Sequence, residues 1–265
     1  MKIRIDKLLV ERGLAPSRER AQALILAGKV LANEQKIEKA GASVPDDSTI
    51  RLLGQDIPYV SRGGLKIEKA LAHWNINVHG RSCLDVGAST GGFTDCLLQH
   101  GAERVIAIDT GYGQIDMKLR NNARVRLLEK TNARYLKAAD IAPLLEDPDS
   151  LSRNPITFIA MDVSFISATL VLPAVVETIK ALFNSEATGP REFEAVILVK
   201  PQFEVGRELV GRGGIVRDEQ ARSGAVEKVQ AAIRNLGATE TDVIDSPIPG
   251  AEGNREFLLY AKVGR

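Results

Sequence analysis

Cys83-Leu84-Asp85-Val86-Gly87-Ala88-Ser89-Thr90-Gly91-Gly92-Phe93-Thr94 decides the fold. Its opening reads as a short strand and its close as the start of a helix, with a glycine-rich turn between them at the strand's carboxyl end. Open α/β sheets bind ligands at that place. Gly87, Gly91 and Gly92 let a ligand approach the backbone, or else serve a tight turn that packs helix on strand. The next strand ends in Asp109, placed to accept hydrogen bonds from a ribose diol or to cap the following turn. The spacing is not Gly-x-Gly-x-x-Gly, and Asp85 ahead of the turn would repel a pyrophosphate, which argues against a dinucleotide. A carboxylate there suits a ligand with a cationic amino group, and S-adenosylmethionine carries one together with a sulfonium. The expected cofactor contacts are Asp85, Gly87, Ser89, Gly91, Gly92, Phe93 and Asp109. Asn132, after the third strand, either meets the adenine edge or forms a plain Asx turn.

Outward from this turn, strands and helices alternate to the end of the chain. Apolar runs at 82–86, 104–109, 124–128, 156–162, 194–200, 239–245 and 254–263 predict strands. Helical spacing at 92–100, 114–119, 140–145, 169–183 and 218–236 predicts the helices between them, and an amphipathic helix over 62–74 comes first. Such alternation predicts a parallel sheet covered on both faces. Residues 246–253 are too few for a helical crossover, so the final strand is expected to run antiparallel. The expected fold class is α/β, a Rossmann-like seven-stranded sheet with its last strand reversed, the arrangement that class I methyltransferases show.

Residues 1–58 read differently, as a small α+β domain ahead of a larger one at 59–265. Helical spacing at 6–11 and 18–26 is followed by short strands at 30–33, 37–38 and 49–53, and Asp56-Ile57-Pro58-Tyr59 is the expected link. Positive charge gathers at Arg4, Lys7, Arg12, Arg18, Arg20 and Lys29, a patch that can meet phosphates or simply a solvated face. Arg4-Ile5-Asp6-Lys7-Leu8-Leu9, Ser17-Arg18-Glu19-Arg20-Ala21 and Leu26-Ala27-Gly28-Lys29-Val30 together resemble the RNA-binding S4 domain. The resemblance implies RNA contacts at Arg4, Lys7, Arg18, Arg20 and Lys29.

The whole-chain balance is neutral, with 35 Lys and Arg against 34 Asp and Glu, so a polyanion would be met by a local patch and not by an overall field. Apolar content of 44% is enough to form a core and excludes a disordered class. Cys83 and Cys96 lie in apolar stretches without metal-ligand spacing, so the expectation is buried reduced thiols, a cytoplasmic setting and no metal. No apolar leader and no stretch of membrane-spanning length is read, so no membrane partner is expected. Nothing in the pattern specifies an oligomeric state.

In a parallel sheet all carboxyl ends open onto one rim. Asp162 ends the fourth strand, Lys200 ends the fifth just before Pro201, and Glu256 near the start of the reversed strand faces the same rim. Ionisable groups at the ends of apolar strands need partners or a function, which leaves a structural ion-pair cluster or a catalytic site. Tyr59-Val60-Ser61-Arg62-Gly63-Gly64-Leu65-Lys66, the turn from Asp85 to Thr94, Asp109-Thr110-Gly111-Tyr112-Gly113-Gln114, Asp162-Val163-Ser164-Phe165-Ile166-Ser167, Leu198-Val199-Lys200-Pro201-Gln202-Phe203-Glu204 and Gly253-Asn254-Arg255-Glu256-Phe257 together resemble the TlyA family. That family joins an S4 domain to an FtsJ-like ribose methyltransferase. The resemblance implies 2′-O-methylation of cytidine in 23S ribosomal RNA, with 16S as a further candidate, by a tetrad of Lys66, Asp162, Lys200 and Glu256. Lys69, one helical turn on, is the alternative to Lys66.

A ribose hydroxyl is a poor nucleophile until its proton is drawn away with the methyl in line behind it. Lys200 is the candidate, either as a neutral base or as an ammonium that orients the hydroxyl and stabilises developing charge. Lys118, Arg120, Arg124, Arg126, Lys130, Arg134 and Lys137 extend a phosphate-binding surface or are solvated, and the glycine-rich segment 206–214 is expected to be a mobile loop over RNA. Two other readings compete. A membrane-active haemolysin lacks an insertion segment in the sequence, and a non-catalytic RNA-binding ribosome factor does not explain an intact tetrad.

Overall fold

The computed structural model describes residues 2–53, 57–145, 155–184, 192–250 and 253–264. The chain divides into two units, Met1–Asp56 and Ile57–Arg265. Of the expected link, Asp56 lies outside the described residues.

Unit 1 runs β1 (Lys2–Arg4), α1 (Ile5–Glu11), α2 (Arg18–Leu26), β2 (Val30–Ala32), β3 (Gln35–Lys36), β4 (Ser43–Pro45) and β5 (Ile50–Leu52). Ser17 starts α2 by accepting the Arg20 N–H at 3.2 Å. Ile5, Leu8 and Leu9 of α1 pack on Ala21, Leu24 and Ile25 of α2 over Val30 and Val44, so the helical spacing becomes a core. The strand expected at 37–38 lies at Gln35–Lys36 instead. Asn33 and Glu34 both take positive φ, 50° and 64°, and Ala32 pairs with Gln35, so the chain reverses in a two-residue turn before residue 37. The antiparallel pair of β1 and β4 was not expected, because three-residue strands are too short for alternation to show.

Unit 2 opens with α3 (Gly63–His73), then β6 (Ser82–Val86), α4 (Gly92–Gln99), β7 (Arg104–Ile108), α5 (Met117–Arg120), β8 (Val125–Leu128), α6 (Ala138–Leu145), β9 (Ile156–Met161), α7 (Ala168–Asn184), β10 (Glu192–Val199), α8 (Pro201–Glu204), α9 (Glu219–Asn235), β11 (Ala238–Asp245) and β12 (Phe257–Gly264). Among the described residues these strands form one seven-stranded sheet in the order β11-β12-β10-β9-β6-β7-β8. β6 pairs parallel with both β7 and β9, and β12 runs antiparallel to β10 and β11. Alternation along β9 puts Ile159 and Met161 in one core and Phe158 and Ala160 in the other, so both faces are covered. The helix expected at 114–119 forms only over Met117–Arg120, where Asp116 caps it by accepting the Lys118 N–H.

Candidate active site

The strand order reverses between β6 and β9, and loops leave such a switch point in opposite directions, opening a crevice at the carboxyl ends. Gly87 follows β6 and Asp162 follows β9. They touch: the Asp162 N–H donates to the Val86 carbonyl at 2.8 Å, and a β-carbon on Gly87, at φ +87°, would fall 2.3 Å from the Asp162 carbonyl oxygen. Gly91, at φ +94°, would meet Leu119 and Gly92 would meet Ser61, so tight packing already accounts for all three glycines.

Two cavities adjoin across this turn and share Gly87, Ser89 and Asp162. One, about 280 Å³, is walled by Asp109, Thr131, Asn132 and Phe165. The other, about 240 Å³, is walled by Lys66, Gly92, Phe93 and the segment 248–250. Asp109 is fixed by two backbone amides, Ser89 at 2.8 Å and Gly111 at 2.7 Å. The Asn132 side chain accepts the Arg134 N–H at 3.0 Å in an Asx-type cap while it also lines the first cavity.

Asp85 stands apart from the other expected cofactor residues. It is fully buried and lines neither cavity. Its Oδ2 accepts the Thr94 hydroxyl at 2.6 Å, and its Oδ1 has no hydrogen-bond partner among the described residues. Burial pushes this carboxyl up to about 7, and the nearby charges of Asp162 and Asp109 add to the rise against the Thr94 bond.

Lys66, Asp162, Lys200 and Glu256 come to the same rim as two close pairs. Lys200 Nζ lies 2.5 Å from Asp162 Oδ1, and Lys66 Nζ lies 2.6 Å from Glu256 Oε2. Topology explains the convergence: Val199 of β10 pairs with Phe257 of β12, so the residue after one and the residue before the other lie side by side. α3 buries Gly64, Lys66, Ile67, Ala70 and Leu71, and this face carries Lys66 inward while Lys69 is exposed. Helical phase thus brings Lys66, and not Lys69, against Glu256.

Sequence reasoning did not single out Ser164, Phe165 or Glu204. Ser164 accepts from Lys200 Nζ at 2.6 Å. Phe165 is 92% exposed beside the cavity it lines, with its ring 5.5 Å from that of Phe203. All three stood inside quoted motifs, yet residue type alone shows neither exposure nor partner.

In unit 1, Arg4 and Arg18 both bind the buried Asp6, and Lys7 lies 3.4 Å from Glu11. Arg20 and Lys29 are half-buried. Much of the basic cluster in unit 2 is used locally: Lys118 meets Asp95, Arg120 meets Glu129, and Arg124 donates to the carbonyls of Leu98 and Ala102. Lys130 lies over the Tyr112 ring at 4.6 Å. The segment expected as a mobile loop forms two short turns at Arg207–Leu209 and Arg212–Gly214, and the buried Asn254 donates to the Gly214 carbonyl. Among the described residues no cluster of three or more His, Cys, Asp or Glu is arranged to hold a metal ion, and no helix is long and apolar enough to cross a membrane.

Comparison with known proteins agrees with this fold. The FtsJ-like methyltransferase family matches residues 59–263, and the S4 domain matches residues 3–50. The 16S/23S rRNA (cytidine-2′-O)-methyltransferase TlyA of Mycobacterium tuberculosis is 42% identical over 260 residues, which is 98% of this chain and 89% of the relative. Hemolysin A of Brachyspira hyodysenteriae is 40% identical over 258 residues, 97% of this chain and 99% of the relative. A solved structure described as a hemolysin candidate from Streptococcus thermophilus superimposes with a TM-score of 0.69 at 38% identity, covering 99% of this chain and 89% of that one. The chain therefore belongs to the FtsJ-like methyltransferase family, and its S4 domain and near full-length likeness place it with the TlyA proteins.

Proposed function

We propose that this protein transfers a methyl group from S-adenosylmethionine to the 2′-hydroxyl of a cytidine in ribosomal RNA. The observation that carries the reading is the pair of lysine–carboxylate contacts, Lys200–Asp162 and Lys66–Glu256, set on the rim beside the Gly87 turn. The name of the Mycobacterium tuberculosis relative supports the base and the RNA class.

The residues present fit the cofactor. Asp109, held by two amides at the cavity wall, keeps lone pairs for a ribose diol, and Asp162, which borders both cavities, adds a carboxylate beside the turn that favours a cation. S-adenosylmethionine, when bound, supplies an electrophilic methyl carbon on its sulfonium. Lys200 Nζ is the atom that handles the substrate proton. Lying against Asp162 Oδ1, it can pass a proton to that carboxylate and accept the hydroxyl proton in its place, or keep its charge and stabilise the forming alkoxide. Lys66, locked by Glu256, borders the second cavity and orients the sugar from the other side.

Because the target is the hydroxyl that DNA lacks, the chemistry selects RNA. Phe165 offers its exposed ring to a base turned out of its stack. Arg4, Lys7, Arg18, Arg20 and Lys29 of the S4 domain hold the surrounding phosphates, and the cytoplasm is the compartment this substrate requires. The test is to map 2′-O-methylcytidine in ribosomal RNA from cells with and without the gene. One or more sites should be lost on deletion and restored by the wild-type gene but not by Lys200→Ala, and an unchanged methylation map would refute the proposal.

A further inference from the structure

Glu204 is a buried acid that the scheme above does not use. It closes α8, the short helix that begins just after Lys200, and only 2% of its side chain is exposed. Its Oε1 accepts the Ala168 N–H at 2.6 Å, and its Oε2 accepts the Ser167 hydroxyl at 2.5 Å. Those donors belong to the start of α7, where free N–H groups and the helix dipole favour an anion. Lys228 of α9 lies 3.4 Å from Oε2 and also donates to the Glu204 carbonyl at 2.8 Å. A buried carboxylate on one element therefore caps a helix on another, with its charge compensated on both sides.

Residues 162–167 alone connect β9 to α7, and they carry Asp162, Ser164 and Phe165. Phe165 sits at φ 63°, a left-handed conformation that a bulky residue keeps only where its surroundings enforce it. The enforcement is visible along the segment. Asp162 is tied to Val86 at the start, Ser164 to Lys200 and the Phe165 ring to Phe203 in the middle, and Ser167 and Ala168 to Glu204 at the end.

We infer that Glu204 is a positioning residue for methyl transfer, locking the 162–167 segment to the Lys200 helix so that Asp162 stays against Lys200 and Phe165 stays raised toward the RNA. The role rests on the methyl-transfer reading. Glu204→Gln keeps an oxygen for the Ala168 amide but removes the charge that faces the α7 terminus and Lys228. The segment would then lose its fixed end without losing any group that touches substrate.

The experiment compares kcat, KM for RNA and Kd for S-adenosylmethionine in wild type, Glu204→Gln, Phe165→Ala and the double variant. Glu204→Gln should lower kcat by about ten- to a hundredfold while cofactor affinity stays within about twofold, since small misplacements of reacting groups carry losses of that order. Phe165→Ala should cost less in the Glu204→Gln background than alone, because a ring no longer held in place has less to contribute. Ser167→Ala, which leaves the buried charge intact, should lower kcat in the same direction by a smaller factor and carries the test if Glu204→Gln does not fold. A normal kcat in the folded variants, or losses that multiply as independent events, would overturn the role. A wild-type protein that transfers no methyl group would overturn the underlying reading and this role with it, whereas an active wild type beside an unimpaired Glu204→Gln would overturn this role alone.

Discussion

Asp6 in unit 1 and Asp85 in unit 2 are both fully buried aspartates in opposite surroundings. Asp6 accepts Arg4 Nε at 3.0 Å and Nη2 at 2.8 Å, Gln22 at 3.0 Å and Arg18 at 3.1 Å, and the Arg4 bond above all holds its carboxyl well below the usual range. Asp85 accepts a single hydroxyl and keeps one oxygen unpaired among the described residues, and burial pushes it up to about 7. The residue type is the same: a charged donor at Arg4 holds the first carboxyl down, and burial against a single hydroxyl lets the second rise. In the small unit Asp6 spends its acceptors on neighbours of the same unit. In the large unit Asp85 leaves acceptor capacity unspent within β6, behind the rim that Asp109 and Asp162 line.

The largest expected effect falls at that open rim. Lys200→Ala should lower methyl transfer by about a thousandfold or more, the scale of a lost proton-handling group, while thermal unfolding of the S4 domain is unchanged. A loss shared equally by activity and S4 stability would break the distinction between the units. Next in size, Asp6→Ala should destabilise unit 1 by about 2 kcal/mol, the worth of a few charge-assisted bonds, as read by hydrogen exchange of α1 and α2, with cofactor affinity unaffected. A weakened cofactor site would show that the two networks are coupled after all.

The pH dependence sharpens the contrast because the two acids act with opposite sign. Asp6 has its folded value depressed, so its contribution is present above the unfolded carboxyl value near 4 and is lost as pH falls further. Asp85 has its folded value raised, so between about pH 4 and about 7 the folded protein holds a proton that the unfolded chain has released. Stability of the cofactor-free protein should therefore fall as pH rises through that window. Denaturant titrations of Asp85→Asn should show this fall flattened, and an equal slope in both proteins would contradict the burial account. The smallest effect is expected at Lys7, an exposed residue beside Glu11. Lys7→Ala should leave stability within about 0.5 kcal/mol and reduce the salt dependence of RNA binding by about one counterion or less.

How far the sequence could be read follows the same physics. Strand-end residues are legible because a parallel sheet sends all its carboxyl ends to one rim, and so Asp162, Lys200 and Glu256 could be placed together before any coordinates. Residue type does not separate Lys66 from Lys69, and the sequence preference for Lys66 rests on its place after Gly63-Gly64; the phase shared with Gly64, Ile67, Ala70 and Leu71 then buries Lys66 and leaves Lys69 exposed. The glycine turn was legible as a turn but not in its cause, since ligand approach and tight packing both ask for a missing β-carbon, and at Gly87 the packing on Asp162 is what shows. The complete burial of Asp85, the exposure of Phe165 and the span from Glu204 back to Ala168 depend on tertiary contacts that no local pattern encodes. In unit 1 the helices followed from periodicity, while β1 and β4 were too short to announce themselves and β3 lies two residues ahead of its expected place.

The central claim is that Lys200, held by Asp162, handles the proton of a ribose hydroxyl as it is methylated. A single-turnover assay with methyl-labelled S-adenosylmethionine and purified ribosomal subunits addresses it directly, comparing wild type with Lys200→Ala at saturating cofactor. Label should appear at the 2′-oxygen of a cytidine with the wild type and be slowed by orders of magnitude in the variant, both binding the cofactor alike. Label on a base instead of a ribose, or transfer by the variant at the wild-type rate, would contradict the account.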